Sequence, residues 1–379
     1  MKDKILLVDD DAMILAGLKR QLRSQFRIET ALSGEEALEI IDEKGPFAVV
    51  VSDYYMPGMN GIDFLCRVKK VDPDTVRMML TGSADMSTAI AAVNEGSIFQ
   101  FHPKPCPAEK LGEAIKSGIY KYRHTTNSQT QMKKVQMSLE QASRIQQTLL
   151  PKSDPDVEGY DIAGQSIWCD ETSGDYYDVI YPEDWKQEKI GIVVADVIGH
   201  GISAALLMTT VRASLRERIL SHGSGPAIVS HVNNSLVKDI EALNLFVTMF
   251  YSEIDLNQKC FRWVHAGHES AILYDATNDS FKTLGGDGVP LGIMDDWVYE
   301  EAETEITPGQ IILIGTDGIK EACNSHGEYF GNERLMTIVR EHAAKAAKDL
   351  LNEIFKSLNR FRHPAERKDD ETLVVIKVD

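Results

Sequence analysis

Short apolar runs alternate with helical patterns from Lys4 to about Tyr122. The runs KILLV, FRIETA, FAVVVSD, VRMMLTG and IFQFHPKP alternate with ILAGLKRQL, EEALEIID, GIDFLCRVK, STAIAAVNEG and AEKLGEAIKSGI. In the second set apolar residues recur every three or four positions, the period of a helix with one buried stripe. A strand followed by a helix five times over predicts a parallel, doubly wound α/β sheet, (βα)5, across residues 1–122.

The pattern changes over 123–150, where Gln, Ser and Lys dominate and neither Gly nor Pro occurs. Met132, Val135, Leu139, Ala142, Gln146 and Leu149 fall at alternating steps of three and four, the a/d seam of a short coiled coil that Pro151 ends. The segment is expected to pair two copies of the chain into a homodimer, with Gln146 as a polar residue fixing the register of the seam. Because fewer than four heptads are present, a single helix packing the stripe on its own domains is the alternative.

From 151 to 379 the apolar runs are YDIAGQSIW, KIGIVVADV, FVTMFYSEID, CFRWVHAGH, SAILYDA, QIILIGTDG and TLVVIKVD. Helical patterns near Ala204–Ser221 and Gly225–Glu241 come as a pair, and another runs from Glu333 to Asn359. Strands in series with grouped helices predict an α+β sandwich of antiparallel sheets.

Composition narrows the choice of output. With 40 Lys and Arg against 58 Asp and Glu in 379 residues, the formal charge of −18 repels nucleic acid and anionic membrane, so neither is expected as a partner. The five cysteines are scattered without a CxxC pair, which points away from zinc and disulfides and towards a reducing, cytoplasmic location. No apolar run reaches membrane-spanning length, and MKDKILLVDDD turns acidic where a signal peptide would stay apolar.

Asp9 and Asp10 at the end of the first strand and Asp53 at the end of the third converge on the C-terminal edge of a parallel sheet, where such folds keep their sites. Three acids so close need a cation, and an all-oxygen set suits Mg²⁺. The loop YYMPGMNG leaves Asp53 open to act as a nucleophile. Together LLVDDD, SDYYMPGMNG, MLTG and FHPKP resemble the response-regulator receiver family of two-component systems. The resemblance implies that a histidine kinase phosphorylates Asp53. It also implies that Asp10, Asp53 and the Tyr55 carbonyl hold Mg²⁺ with Asp9 in support, and that Thr81, Lys104 and the aromatic switch Phe101 respond to the phosphate.

The second half sets carboxylates at strand ends and in Gly-rich turns: GDYYD with Asp175 and Asp178, VVADVIGHG with Asp196, LIGTDGIKEA with Asp317, and KDDETLVVI with Asp369 and Asp370. Two divalent ions about 4 Å apart need such a supply of oxygen ligands. With IQQTLLP, LFVTMFYSEIDL, WVHAGHESAILY and GVPLG, these motifs are similar to the SpoIIE/RsbU-type branch of the PPM family of metal-dependent Ser/Thr phosphatases. The resemblance implies an αββα sandwich and two Mn²⁺ or Mg²⁺ held by Asp175, Asp196, Asp317, Asp369 and the Val197 carbonyl, with Asp178 and Asp370 as secondary candidates. It further implies hydrolysis of phosphoserine or phosphothreonine on a partner protein, an anti-sigma-factor antagonist. A non-catalytic, receiver-controlled adaptor is the rival reading, and retention of the four principal ligands favours the enzyme. His200 and His268 are read as packing or hydrogen-bonding residues, and no counterpart of the phosphate-binding arginine of eukaryotic relatives is found.

Overall fold

The computed structural model describes residues 3–82, 98–181, 188–220, 223–240 and 243–379. The chain divides into two compact units, one up to Gln136 and one from Met137 onward. Among the described residues no helix is long and apolar enough to cross a membrane. All five cysteines are free.

In the first unit β1 (Lys4–Val8), β2 (Arg27–Ala31), β3 (Val49–Asp53), β4 (Val76–Thr81) and β5 (Gln100–Pro103) form a parallel sheet in the order β2-β1-β3-β4-β5. Ile5, Leu7, Val49 and Val51 face one core, shared with Leu15, Leu22, Leu111 and Ile115. Leu6, Val8 and Val50 face a second core with Phe64 and Leu65. Because both faces are covered, these strands read as continuous apolar runs rather than as alternating ones. The helices α1 (Ala12–Leu22), α2 (Gly34–Lys44) and α3 (Gly61–Val71) start at side-chain caps. Asp11 accepts from the amides of Met13 and Ile14, Ser33 from that of Glu36, and Asn60 from that of Asp63. The expected helix STAIAAVNEG (87–96) lies outside the described residues.

A single helix, α4 (Ala108–Gln147), carries the expected last receiver helix and the linker as one element of 40 residues, about 60 Å long at 1.5 Å per residue. Met132, Val135 and Ala142 on its stripe are exposed and Leu139 is half-buried. Gln146 departs from the expectation. It is buried, with its amide bonded to Ser173, because the helix end packs on the second unit's own chain; Leu149 falls beyond the helix. The seam available to a second copy therefore ends at Ala142, and Gln146 does not set its register.

The second unit has four layers. One antiparallel sheet runs β13-β10-β9-β8-β7 and the other β12-β11-β14-β15-β6. Their members are β6 (Tyr160–Ile167), β7 (Tyr176–Ile180), β8 (Lys189–Val197), β9 (Val247–Asp255), β10 (Cys260–Ala266), β11 (Ala271–Asp275), β12 (Ser280–Leu284), β13 (Glu301–Glu305), β14 (Gln310–Gly315) and β15 (Glu371–Val378). Along β8, Ile190, Ile192 and Val194 enter the core between the sheets, while Val193, Ala195 and Val197 meet α5 (Ile202–Leu220) and α6 (Gly225–Ile240). Ile312 and Ile314 of β14 likewise face inward, and Ile311 and Leu313 pack under α7 (Asp317–Lys320), α8 (Gly331–His342) and α9 (Ala347–Arg362). The expected αββα sandwich is what forms. The helix expected over Glu333–Asn359 is broken, because the Asp161 carboxylate of β6 accepts from the Ala347 amide at 2.7 Å and starts a second helix there.

Candidate functional site

At the carboxyl edge of the parallel sheet, β1 and β3 are neighbours whose connections depart in opposite directions, and a crevice opens between their ends. Asp9 and Asp53 are buried there and Asp10 is exposed, with ligand oxygens of all three within 4.8 Å of one another. Lys104, just past β5, reaches in with Nζ 2.7 Å from Asp9 and 2.8 Å from Asp53. Burial raises the Asp53 carboxyl above its usual value against the pull of Lys104; burial also opposes the Lys104 charge, but the two carboxylates outweigh it and hold that ammonium above its ordinary value. Thr81 is buried at the end of β4, and its carbonyl accepts from the Lys104 amide at 2.8 Å. Phe101 on β5 is half-buried against the second core, and Tyr55 is exposed in the loop after Asp53. That loop closes tightly. The Gly61 amide donates to Tyr54 O at 3.0 Å, and a Cβ on Gly61 would stand 2.0 Å from Asp53 O, so only glycine fits.

The second set of carboxylates gathers where the two sheets of the sandwich end. Asp175 precedes β7, Asp196 and Val197 close β8, Asp317 opens α7 after β14, and Asp369 precedes β15. Asp175 is fully buried, and Thr316 Oγ1 donates to its Oδ2 at 2.9 Å. Burial pushes the Asp196 carboxyl up to about 8, with repulsion from Asp317, Asp369 and Asp370 adding to it while a hydrogen bond with Asp175 opposes it. Burial raises Asp175, Asp317 and Asp369 as well, and nearby carboxylates push in the same direction. Among the described residues no ion pair reaches any of the four. Nor, among them, do three His, Cys, Asp or Glu outside the Asp9 cluster bring ligand atoms within 4.8 Å of one another. Oxygen donors that repel one another in this way fit, by their chemistry, divalent cations. A Cβ on Gly174 would stand 3.0 Å from the Val197 carbonyl oxygen, so that carbonyl lies against the Asp175 loop.

The two secondary candidates are engaged elsewhere. Asp178 takes Arg216 Nε at 2.6 Å, Arg216 Nη2 at 2.8 Å and the Tyr176 hydroxyl at 2.6 Å. Asp370 accepts from the amides of Cys169 and Gly174 and from Ser173 Oγ, at 2.8, 3.0 and 2.7 Å. Each thus takes three protein donors, more than the structure gives to any of the four principal candidates. His200 is exposed, 2.6 Å from Asp170; buried His268 pairs with Thr248 Oγ1 at 2.8 Å, and burial lowers it to about 3, so it is neutral. The sequence reading missed Thr316, Ser173 and Gln146, which hold the acids rather than supply them. Thr316 and Ser173 stand one and two positions before Asp317 and Asp175, the only signal available.

Comparison with known proteins identifies the domain to which each region belongs. The family model for Stage II sporulation protein E (SpoIIE) matches residues 186–379, and that for the response regulator receiver domain matches 5–116. The chain is 30% identical over 244 residues to phosphoserine phosphatase RsbU of Bacillus subtilis, covering 64% of this chain and 70% of that one. It is 28% identical over 213 residues to phosphoserine phosphatase RsbP of the same organism, covering 55% of this chain and 50% of RsbP. Among solved structures the SiaA-PP2C domain of Pseudomonas aeruginosa superposes with a TM-score of 0.58 over 65% of this chain and 98% of that domain; at 24% identity this concerns the fold.

Proposed function

The chain belongs to the SpoIIE family, a PPM-type phosphatase domain preceded by a response-regulator receiver domain, and from that premise we propose a metal-dependent phosphatase acting on phosphoserine or phosphothreonine of a partner protein under control of Asp53 phosphorylation. The carrying observation is the set Asp175, Asp196, Asp317 and Asp369, four acids brought to neighbouring strand and helix ends whose charge burial opposes and nearby carboxylates oppose further, with no salt bridge to any of them among the described residues. These four and the Val197 carbonyl are the proposed ligands, and Asp178 and Asp370 are left out. When bound, two Mn²⁺ or Mg²⁺ ions would supply the positive charge that a phosphoryl group undergoing in-line displacement requires. The chain's own part is to hold the acids in place: Thr316 fixes Asp175 by hydrogen bonding, and the strand ends carry the others.

In the receiver, Asp53 is the proposed acceptor for a histidine kinase, with Mg²⁺ at Asp9, Asp10, Asp53 and the Tyr55 carbonyl. Lys104 already spans Asp9 and Asp53 and would pair with the phosphoryl group, while Thr81 and Phe101 carry the change outward. We assign residues 1–122 to the receiver, 123–150 to the linker and 151–379 to the phosphatase. The phosphoserine phosphatase activity named for RsbU and RsbP supports phosphoserine as the group hydrolysed, and the resemblance of the sequence motifs to that branch points to an anti-sigma-factor antagonist as the protein that carries it. The free cysteines agree with a cytoplasmic setting. The test is hydrolysis of para-nitrophenyl phosphate with Mn²⁺, with EDTA, and with acetyl phosphate as phospho-donor. Mn²⁺-dependent turnover that acetyl phosphate changes is expected; no turnover with any divalent metal would leave the adaptor reading.

A further inference from the structure

We propose that Gln146, at the end of α4, is a positioning residue for the metal ligand Asp175, acting through Ser173. The inference rests on Asp175 being a ligand, as argued above. Gln146 is 4% exposed, although its neighbour Ile145 is 65% exposed, so this one side chain of the last turn is drawn inward. Its Nε2 donates to Ser173 O at 2.6 Å, and the Ser173 amide donates to its Oε1 at 3.1 Å. Since the Ser173 amide can only face an oxygen and the carbonyl only a donor, the pairing demands a primary amide. A carboxylate lacks the donor, an ammonium lacks the acceptor, and Asn is one methylene short.

Ser173 passes the constraint on. It is fully buried, and its Oγ donates to Asp370 at 2.7 Å while accepting from the Asp175 amide at 3.0 Å. Asp370 also takes the Gly174 amide at 3.0 Å. The backbone polar groups of Ser173 are thus held by Gln146, that of Gly174 by Asp370, and that of Asp175 by Ser173, while Thr316 fixes the carboxylate itself. Remove Gln146 and the Ser173 amide and carbonyl are left buried without partners, so the loop must rearrange to find others. Asp175 moves with it. Partners that orient ligands without touching a metal are worth about 10- to 100-fold in affinity.

The test uses the full chain carrying Asp10→Asn and Asp53→Asn, which disable the proposed receiver metal site, with Gln146→Leu, Gln146→Glu and Ser173→Ala added singly, reading Mn²⁺ binding by the loss of the free-ion EPR signal, independently of activity. Alongside it, the Mn²⁺ activation midpoint, kcat at saturating Mn²⁺ and Tm are measured. Expected are an Mn²⁺ affinity weaker by about 10- to 100-fold in all three and a kcat at saturating metal within about threefold of that parent chain. A lowered Tm with unchanged Mn²⁺ affinity would reduce Gln146 to a helix anchor and overturn the proposal. Should Gln146→Leu fail to fold, Gln146→Glu, which keeps an acceptor for the Ser173 amide and removes only the donor to its carbonyl, decides. A parent chain that binds no Mn²⁺ sinks the metallophosphatase reading itself, whereas binding by the parent with unaltered variants sinks only the role of Gln146.

Discussion

Replacing Arg216 by Leu tests whether Asp178 is a structural carboxylate. The Asp178 side chain is 1% exposed and that of Arg216 43%, so the two halves of the pair are not equivalent. Losing Arg216 strands a buried carboxylate with only the Tyr176 hydroxyl as donor. Breaking a buried pair costs about 3–5 kcal/mol, and the partial exposure of Arg216, which lets water in, reduces this to about 2–4 kcal/mol. For a unit of this size that corresponds to roughly 5–12 °C in Tm. Asp178→Asn leaves instead a half-exposed guanidinium that water can solvate and keeps an acceptor for Tyr176, so its cost is about 1 kcal/mol. Thermal and urea unfolding of the second unit's transition, followed by circular dichroism, gives the order. Equal costs, or a reversed order, would refute the reasoning from burial. Loss of Mn²⁺-dependent turnover in a folded Asp178→Asn would show that Asp178 is a ligand after all.

Asp53→Asn should abolish labelling from a phospho-donor, and labelling at the wild-type level would remove Asp53 as the acceptor. Asp317→Asn should lower Mn²⁺-dependent turnover by at least about 100-fold with Tm preserved, because an amide cannot balance the charge of a metal pair; near-wild-type kcat would count against the ligand set. His268, lowered to about 3 in the fold against about 6.5 unfolded, takes up its proton only on unfolding between those values. Its contribution is therefore fully present above pH 6.5 and is lost as pH falls towards 3, by up to about 1.4 kcal/mol per pH unit, so His268→Asn should flatten the acid limb of the stability curve measured by urea titration. Leu139→Lys should weaken self-association in light scattering if Met132, Val135, Leu139 and Ala142 form a dimer seam; a wild-type chain that is monomeric at micromolar concentration would discard the seam.

What was legible in the chain follows from which faces are buried. KIGIVVADV could be read as a strand because both of its faces meet apolar layers, and the motif ends where β8 ends. EAETE could not. It is an edge strand with four of its five residues exposed, held to β10 by backbone pairing and by a surface ion pair between Glu303 and Arg262, neither of which a pattern of apolar positions records. The break at Ala347 was hidden in a run rich in Ala, a strong helix former, because its cause is Asp161, distant in sequence. Gln146 fell at a seam position by spacing, but a period of 3.5 says only which residues share a face, not whether that face meets another copy or the chain's own loop. Asp175 and Asp178 stand three positions apart and Asp369 and Asp370 are adjacent, so spacing cannot separate them, and what differs between them is the set of tertiary donors around each.

The two sites share a construction. In each a carboxylate-bearing strand end is approached so closely by a glycine that a Cβ would lie 2.0 Å from a carbonyl oxygen, Gly61 of the following loop over Asp53 and Gly318 of α7, far earlier in the chain, over Asp370. They differ in how the charge is met. Lys104 bridges Asp9 and Asp53, so the receiver cluster has a cation of its own. The second set of acids has no such bridging cation among the described residues: Lys320 and His200 act on Asp317 and Asp369 without forming a salt bridge to them, and Asp175 is held by the neutral Thr316 hydroxyl. A receiver must keep one carboxylate available for a covalent bond, for which a retractable ammonium is suited, because it can follow the charge to the new phosphoryl group. A centre that would bind two cations must instead keep its acids unpaired, and rigid neutral hydrogen bonds are the way to position them without cancelling the charge that draws the metals in.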